Sequence, residues 1–144
     1  MLDTRLSIAV VDDEESVRVA LRRLCLAYGL DAHTFATAEQ LFDSLDTRRY
    51  DCLILDAHMP GFGGLDAQTW LNMCGIRIPS VIITGRDDDE VRARSRAVGA
   101  SACLCKPIDA DVLFETIARA VARENAHQLA ESEASAPIAA TGGG

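Results

Sequence analysis

The sequence is short of basic residues, and it has no apolar run long enough to cross a membrane. Its 144 residues include 14 Lys and Arg against 22 Asp and Glu, which gives a formal net charge of -8. Because free-standing nucleic-acid-binding domains are usually basic, we expect no direct binding to nucleic acid. A membrane span needs about 20 consecutive apolar residues, which no part of the chain supplies. The first five residues lack the features of a signal peptide, so we expect a cytoplasmic protein without membrane attachment.

The sequence also lacks a Cys-x-x-Cys pair, and its five cysteines are an odd number. The spacing of these cysteines and the scattering of the three histidines argue against a zinc site. Cys52, Cys103 and Cys105 lie within apolar stretches, and Cys25 lies on the apolar face of a predicted helix. We therefore expect buried, reduced thiols of the kind found in cytosolic proteins.

The chain alternates five predicted strands with five predicted helices. The strands are predicted at Leu6 to Val11, Ala32 to Ala36, Cys52 to Asp56, Pro79 to Thr84 and Ser101 to Cys105. The third of these is apolar throughout until its last residue, which is typical of a strand covered on both faces. Regular alternation of this kind predicts an α/β fold, with a doubly wound parallel sheet and right-handed crossovers.

The helix boundaries carry recognisable signals. Gly29 and Gly99 follow apolar segments with helical spacing and predict helix ends. Thr37 and Gln40 form a capping-box pattern, and Asp109 is a candidate N-cap of the last helix. From about Asn125 the chain turns to Ala, Ser, Glu and Gly, which cannot bury enough apolar surface to order themselves. We therefore predict one domain over residues 1–124 and a flexible tail or linker over residues 125–144.

Five polar side chains stand at or directly after the carboxyl ends of predicted strands. They are Asp12, Asp13, Asp56, Thr84 and Lys106. Because the carboxyl ends of parallel strands meet at one edge of the sheet, we expect these groups to share a site. Three adjacent carboxylates need a cation, and oxygen ligands favour Mg²⁺, with Mn²⁺ as a substitute.

The same set of groups suits phosphoryl chemistry. A metal ion, an ammonium and a hydroxyl can together stabilise the oxygens of a transferring phosphoryl group, and a carboxylate can itself accept that group. Taken singly, each residue has an ordinary explanation: Asp12 and Asp13 as helix caps, Thr84 as a strand residue and Lys106 as a surface lysine. Their joint placement at successive strand ends favours a functional site.

At this point the chain resembles a known family. The relevant motifs are Val-Val-Asp-Asp-Glu at 10–14, Leu-Asp-Ala-His-Met-Pro-Gly at 55–61, Ile-Ile-Thr-Gly at 82–85 and Cys-Lys-Pro at 105–107. From about Leu6 to Arg123 the chain is similar to the response-regulator receiver domains of bacterial two-component signalling, in particular those of the FixJ type. The resemblance implies a flavodoxin-like (βα)5 fold with strand order 2-1-3-4-5.

The resemblance also implies a role for each acidic residue. Asp56 would be the phosphoacceptor, and Asp13 and Asp56 would bind Mg²⁺ directly. Asp12 would act largely through water, and the backbone carbonyl of His58 would complete the protein ligands. The phosphoryl donor would be a sensor histidine kinase, a phosphotransfer protein or a small phosphodonor.

Two further residues would respond to phosphorylation. Thr84 would move to hydrogen-bond the phosphoryl group, and Lys106 would pair with it, next to a cis bond to Pro107. The readout would be the face formed by the fourth helix, the fifth strand and the fifth helix. Phosphorylation-dependent homodimerisation through that face is a further expectation.

The chain departs from the family pattern at one position and adds two candidate modulators. Receivers usually carry an aromatic switch residue three positions before the lysine, where this chain has Cys103. A thiol fills much less space than a ring, and we expect this one to be buried and inert rather than redox-active. His58 and Arg86 each follow a site residue by two positions. We predict that their side chains tune the lifetime of the phosphorylated form, against the alternative that both simply face solvent.

Several readings of the whole chain stay open. FixJ-type regulators carry a DNA-binding output domain after such a linker, so the chain is either a single-domain regulator or the isolated receiver of a transcriptional regulator. A pseudo-receiver that is never phosphorylated is one alternative. An aspartyl-phosphate phosphohydrolase is another, but that class uses a second Asp two residues after the nucleophile, where this chain has His58.

Overall fold

The computed structural model describes residues 5–86 and 88–142, with side chains described up to residue 133, and it contains one five-stranded sheet. The strands are β1 (Ser7–Val11), β2 (Asp31–Phe35), β3 (Cys52–Asp56), β4 (Ser80–Thr84) and β5 (Ala102–Cys105). The helices are α1 (Glu15–Ala27), α2 (Ala38–Ser44), α3 (Gly64–Met73), α4 (Asp89–Ala97) and α5 (Ala110–Gly142). All neighbouring strands are parallel, in the order β2-β1-β3-β4-β5. The predicted fold class and strand order are confirmed.

The sheet has an apolar core on each face. Alternate residues of β1 divide between the two cores, with Ala9 and Val11 in one and Ile8 and Val10 in the other. Every residue of β3 and β4 is buried. This explains why these strands read as continuous apolar runs, since each face of a covered parallel strand needs an apolar side chain.

The helix signals in the sequence are confirmed in detail. Gly29 has a φ of 77°, which lets the backbone turn out of α1 without a steric penalty from a Cβ atom. Thr37 accepts a hydrogen bond from the Gln40 N–H at 3.2 Å, as an N-cap should. The N–H of Val112 donates to the Asp109 carboxylate at 3.0 Å, so the predicted cap of the last helix is also present.

The second strand is shifted by one residue from its predicted position. It covers Asp31–Phe35, because Asp31 pairs with Ser7 of β1. The predicted last residue, Ala36, lies outside the strand, and its N–H donates to the Gln40 side chain at 2.9 Å. The helix cap therefore competes with the strand for this backbone donor, which shortens the strand at its carboxyl end.

The last helix is much longer than the sequence predicts. We predicted a flexible tail or linker from about Asn125, whereas the backbone of α5 continues as a helix to Gly142. The reasoning about burial still applies, since every residue from 125 to 133 is exposed. Composition rich in Ala and Glu supports a helix even where nothing is buried. The domain boundary at residue 124 stays a prediction.

Side-chain pairs accompany this extension of α5. The His127 ring lies 2.7 Å from the Glu131 carboxylate, and the Gln128 amide donates to Glu124 at 3.4 Å. Both pairs are four residues apart, a spacing that stabilises helices modestly. In addition, Arg77 from the segment between α3 and β4 donates to Glu124 at 2.7 Å. This contact ties α5 to the body of the domain.

The thiols are less uniformly buried than predicted. Cys25 and Cys52 are buried as expected, and burial raises the pKa of these thiols to about 11 and about 12 respectively. Cys103 and Cys105 are only half-buried, and Cys74 is exposed. The last two strand cysteines lie on β5, which is an edge strand and so has less cover. All five cysteines are free.

Among the helices in the part of the chain that the structure describes, none combines the length and the apolar character needed to cross a lipid bilayer.

We expect the two halves of α5 to differ in their contribution to stability. Ile117 is 1% exposed, and Ile117→Ala should lower the free energy of unfolding by about 2–5 kcal/mol because it leaves a cavity in the core. Leu129 is 61% exposed, and Leu129→Ala should change it by less than about 0.5 kcal/mol. Urea titrations of the two variants measure both values. A loss of comparable size in Leu129→Ala would show that the extension packs against the domain.

Candidate functional site

Three carboxylates meet at the carboxyl edge of the sheet. Asp12 directly follows β1 and Asp56 ends β3, and these two strands pair in parallel. One carboxylate oxygen from each of Asp12, Asp13 and Asp56 lies within 4.8 Å of the others. Asp12 and Asp56 are 1% and 4% exposed, whereas Asp13 is exposed. The predicted clustering of these acidic residues is therefore present.

Asp12 is held in place by hydrogen bonds from three sides. Its N–H donates to the Phe35 carbonyl at the end of β2, at 3.1 Å. One carboxylate oxygen accepts from the Glu14 N–H at 2.9 Å, in the first turn leading into α1. Its backbone carbonyl accepts from the Arg18 guanidinium at 2.8 Å. The Asp12 backbone and one of its carboxylate oxygens are therefore fixed by hydrogen bonds.

Lys106 brings a positive charge to the cluster of carboxylates. Lys106 directly follows β5, and its N–H donates to the Thr84 carbonyl at 2.8 Å. Its ammonium lies 3.5 Å from the outer oxygen of Asp12, which is long for a charged hydrogen bond. The Lys106–Pro107 peptide bond is cis, as the resemblance implies. The ammonium contributes positive charge without being tightly bound to one carboxylate.

The electrostatics of Asp56 reflect this imbalance of charge. Burial raises the pKa of the Asp56 carboxyl above its usual value, and the neighbouring Asp12 and Asp13 add to that effect. The N–H of His58, which donates to the Asp56 carboxylate at 3.1 Å, and the Lys106 ammonium both act in the opposite direction. The net effect disfavours the ionised carboxylate until a further cation arrives.

The threonine lies beside the acidic cluster and makes contacts that the sequence did not reveal. The Thr84 hydroxyl is fully buried at the end of β4 and donates to the Arg86 carbonyl at 3.0 Å. The His58 ring nitrogen Nε2 lies 3.0 Å from the same hydroxyl oxygen. When the hydroxyl donates to the Arg86 carbonyl, His58 donates to the hydroxyl oxygen through Nε2. The imidazole therefore contacts the site through Thr84, and its effect on the phosphorylated form stays a prediction.

The two remaining candidates, Arg86 and Cys103, do not bring their side chains to the carboxylates in the contacts described. Arg86 contacts Thr84 through its backbone, whose N–H lies 3.3 Å from the hydroxyl, and its side chain is exposed. Cys103 pairs with Ile82 across β4 and β5. It lines a cavity of about 160 Å³ together with Ser95 and other residues of α4 and β5. A cavity at this position agrees with the smaller volume of a thiol in place of a ring.

A glycine that sequence reasoning did not single out is needed to build the site. A Cβ atom on Gly64 would lie 2.5 Å from the Asp56 carbonyl oxygen and 3.0 Å from the Leu55 side chain. The first distance is shorter than real Cβ contacts and involves a backbone atom, so α3 can begin at this point only with glycine. The Gly-Phe-Gly-Gly sequence at 61–64 carried the signal, because glycines directly before a helix often allow close backbone approach.

The site fits a hard divalent cation. All three side-chain ligands are carboxylates, which are the donors that Mg²⁺ prefers. Three such groups carry more negative charge than one nearby ammonium can balance. Mg²⁺ also keeps several of its waters, and the exposed position of Asp13 leaves room for them.

Removing charge from the cluster should stabilise the protein when no divalent cation is present. In EDTA at pH 7, Asp56→Asn should raise the free energy of unfolding by about 1 kcal/mol, because it relieves repulsion and the burial of a charge. The sign follows from the raised pKa of Asp56, which means that the folded state favours the neutral carboxyl. The loss of stability caused by ionising Asp56 is therefore absent at low pH and grows as the pH rises through the pKa of the folded state. The difference between the two proteins should therefore shrink towards pH 4.

Urea titrations at the two pH values measure this effect. The exposed Asp43→Asn on α2 serves as a control, with an expected change below about 0.5 kcal/mol. A destabilised Asp56→Asn protein would mean that the hydrogen bond from His58 outweighs the repulsion.

Comparison with known proteins agrees with this geometry. A family model described as the response regulator receiver domain matches residues 8–118. Nodulation protein W of Bradyrhizobium diazoefficiens is 33% identical over 128 residues, which cover 89% of this chain but only 56% of that protein. The chain therefore spans little more than half the length of this curated relative.

Solved structures give the same result. A response regulator receiver protein from Burkholderia phymatum is 36% identical with a TM-score of 0.74, and the match covers 82% of this chain and 96% of that one. The crystal structure of FixJ-N is 30% identical with a TM-score of 0.76, covering 84% of this chain and 95% of that one. Matched in its motifs, its strand order and its cluster of strand-end carboxylates, the chain belongs to the family of response regulator receiver domains.

Proposed function

We propose that this chain is a phosphorylation-dependent signalling switch that accepts a phosphoryl group on Asp56. The observation that carries the proposal is the meeting of three carboxylates within 4.8 Å, with a lysine ammonium 3.5 Å from one of them. Asp56 is the best candidate for the acceptor because it ends a central strand and is held by the His58 N–H. The protein promotes only the phosphorylation and dephosphorylation of its own Asp56, and it is not an enzyme that turns over a separate substrate.

Asp13 and Asp56 would hold Mg²⁺ directly, Asp12 would do so largely through water, and the His58 carbonyl would complete the protein ligands. When bound, the ion would neutralise charge on the carboxylates and on the phosphoryl oxygens. The raised pKa of the Asp56 carboxyl is compatible with this assignment, since burial is its main cause and the charges of Asp12 and Asp13 add to it.

In the transfer step, a carboxylate oxygen of Asp56 attacks the phosphorus atom in line with the leaving group. The bond between phosphorus and the donor breaks, either at the nitrogen of a kinase phosphohistidine or at the oxygen of a small acyl phosphate. The leaving group departs with the electron pair of that bond: an imidazole nitrogen then takes a proton from solvent, whereas an acyl phosphate releases a carboxylate that stays ionised. Lys106 would turn to a phosphoryl oxygen, since its ammonium already acts electrostatically on Asp56 and its contact with Asp12 is long.

The switch would operate through the buried hydroxyl of Thr84. In the present structure that hydroxyl donates to the Arg86 carbonyl and contacts His58. A phosphoryl group on Asp56 would offer a charged acceptor, which forms a stronger hydrogen bond than a carbonyl does. Phosphorylation would therefore favour a second arrangement of the segment between β4 and α4, by a shift in a pre-existing equilibrium.

The readout surface would be the face of α4, β5 and α5. Strand β5 is an edge strand, and the cavity beside Cys103 leaves room for rearrangement between α4 and β5. We infer a sensor histidine kinase or a phosphotransfer protein as the phosphoryl donor, acting in the cytoplasm. The output would reach either a downstream protein partner, a second copy of this chain in a phosphorylation-dependent homodimer, or a domain joined to α5.

The proposed chemistry predicts one covalent adduct. After incubation with Mg²⁺ and acetyl phosphate, intact-protein mass spectrometry should show one added phosphoryl group on the wild type. Asp56→Asn should show none, because an amide oxygen is a poor nucleophile, and EDTA should abolish the adduct on the wild type. The Asp43→Asn control should be phosphorylated like the wild type. An unmodified wild type at saturating Mg²⁺ would favour the pseudo-receiver reading.

The lifetime of the phosphorylated form should depend on His58. His58→Ala should shorten the half-life of the aspartyl phosphate by about three- to tenfold, because removing the imidazole opens the space beside Thr84 to water. Arg86→Ala should have a smaller effect, since the contacts of Arg86 with Thr84 are made by its backbone. Loss of the adduct over time, followed by mass spectrometry, gives both half-lives. An unchanged half-life in His58→Ala would overturn the modulating role of His58.

A further inference from the structure

A second concave surface lies beside the edge strand β2 and shares no residue with the carboxylate cluster. Its volume is about 440 Å³. We call this surface the basic cleft, and the polar residues that line it are Arg22, His33, Thr34, Ser44, Thr47, Arg48 and Tyr50. None of the residues described as lining it is a carboxylate. In a chain with a formal charge of -8, such a concentration of basic groups needs an explanation.

The two arginines of the basic cleft are poorly used by the protein itself. Arg22 on α1 is exposed and forms no hydrogen bond or ion pair with any residue that the structure describes. The Arg48 guanidinium, also exposed, contacts only the His33 ring within the same described part of the chain. Arginine side chains that line a concave surface without a carboxylate partner are available to an outside anion.

His33 gives Arg48 no charged partner. Its Nε2 atom lies 2.7 Å from one guanidinium nitrogen of Arg48, and its Nδ1 atom lies 3.4 Å from the same nitrogen, so Arg48 contacts both ring nitrogens at once. Nε2 also lies 3.1 Å from the Asp31 carboxylate, which can only accept a hydrogen bond. When Nε2 donates to Asp31, the Arg48 guanidinium has no acceptor among the residues that the structure describes.

An anion in the cleft would give Arg48 the acceptor that His33 does not supply. Arg48 could turn its N–H groups from His33 to the anion, and the protonated Nε2 could then donate to Asp31 without opposition. Arg22 would supply a second guanidinium. The Thr47 hydroxyl would supply a neutral donor, since within the described part of the chain its side chain has no hydrogen-bond partner. Ser44 and Tyr50 form a fixed wall, because their hydroxyls bond to each other at 2.8 Å.

We propose that the basic cleft is a binding site for a small phosphorylated molecule, recognised through a phosphate or diphosphate group. Paired guanidiniums with an adjacent hydroxyl match the bidentate geometry and the charge of phosphate oxygens. The volume of the cleft lies within the range of small-molecule sites. Two guanidiniums and the free Thr47 hydroxyl match a single small anion better than an acidic protein surface, which would need many such groups.

Pyrophosphate is a suitable probe for this site. Isothermal titration calorimetry with the full chain in EDTA should show saturable binding, because without Mg²⁺ the carboxylate cluster repels the anion. Arg22→Gln and Arg48→Gln should each weaken the affinity by about tenfold, the loss typical of one charge-assisted hydrogen bond. Arg23→Gln is the matched control: it removes the same charge from the neighbouring exposed position of α1, outside the cleft, and should change the affinity less than twofold.

A second readout separates binding in the cleft from attraction by net charge. In NMR spectra, pyrophosphate should shift the ring nitrogen resonances of His33 towards those of a protonated Nε2, and it should leave those of the distant His127 unchanged. Thermal unfolding checks that each variant is folded. Absence of saturable binding to the wild type would overturn the proposal, as would an equal loss of affinity in Arg23→Gln.

Discussion

Repulsion among the three carboxylates at the strand ends is the constraint on which this molecule depends. Parallel pairing of β1 with β3 brings Asp12 and Asp56 together, and burial prevents water from fully screening them. The surrounding backbone fixes their positions, with N–H groups donating to Asp12 and to Asp56. Glycine at position 64 lets α3 pack tightly against the end of β3. The fold holds charges in a geometry that they would not adopt alone, and so prepares a site for a cation.

The unfavourable electrostatics also explain how the site could signal. A site that is incompletely neutralised responds strongly to a bound cation or to a covalent phosphoryl group. Thr84 is placed to detect that change, because its hydroxyl is buried at the end of β4 and directed at the neighbouring Arg86 carbonyl. His58 adds a second contact to the same hydroxyl. If the Thr84 hydroxyl left the Arg86 carbonyl for another acceptor, the segment that leads into α4 would lose this hydrogen bond and could rearrange. That rearrangement would change the face formed by α4, β5 and α5.

Much of the fold and the site could be predicted from the sequence, because the relevant signals are local. Apolar strands that end in polar residues gave the sheet and its functional edge, and Thr37, Asp109 and Gly29 marked helix boundaries. What could not be predicted depends on contacts between distant segments. The placement of the His58 ring on Thr84, the length of α5 and the gathering of Arg22, His33 and Arg48 beside β2 are of this kind. Even the one-residue shift of β2 arose from competition between a strand and a helix cap for a single N–H.

The most direct test of the central claim is to locate the phosphoryl group within the chain. Borohydride reduces an aspartyl phosphate to homoserine, and tryptic digestion places Asp56 in the peptide of residues 50–77 together with Asp51 and Asp66. Fragmentation mass spectrometry of that peptide distinguishes the three positions. Homoserine at position 56, formed only after treatment with Mg²⁺ and phosphodonor, is the expected result. Homoserine at position 51 or 66, or in another peptide, would contradict the assignment of Asp56 as the phosphoacceptor.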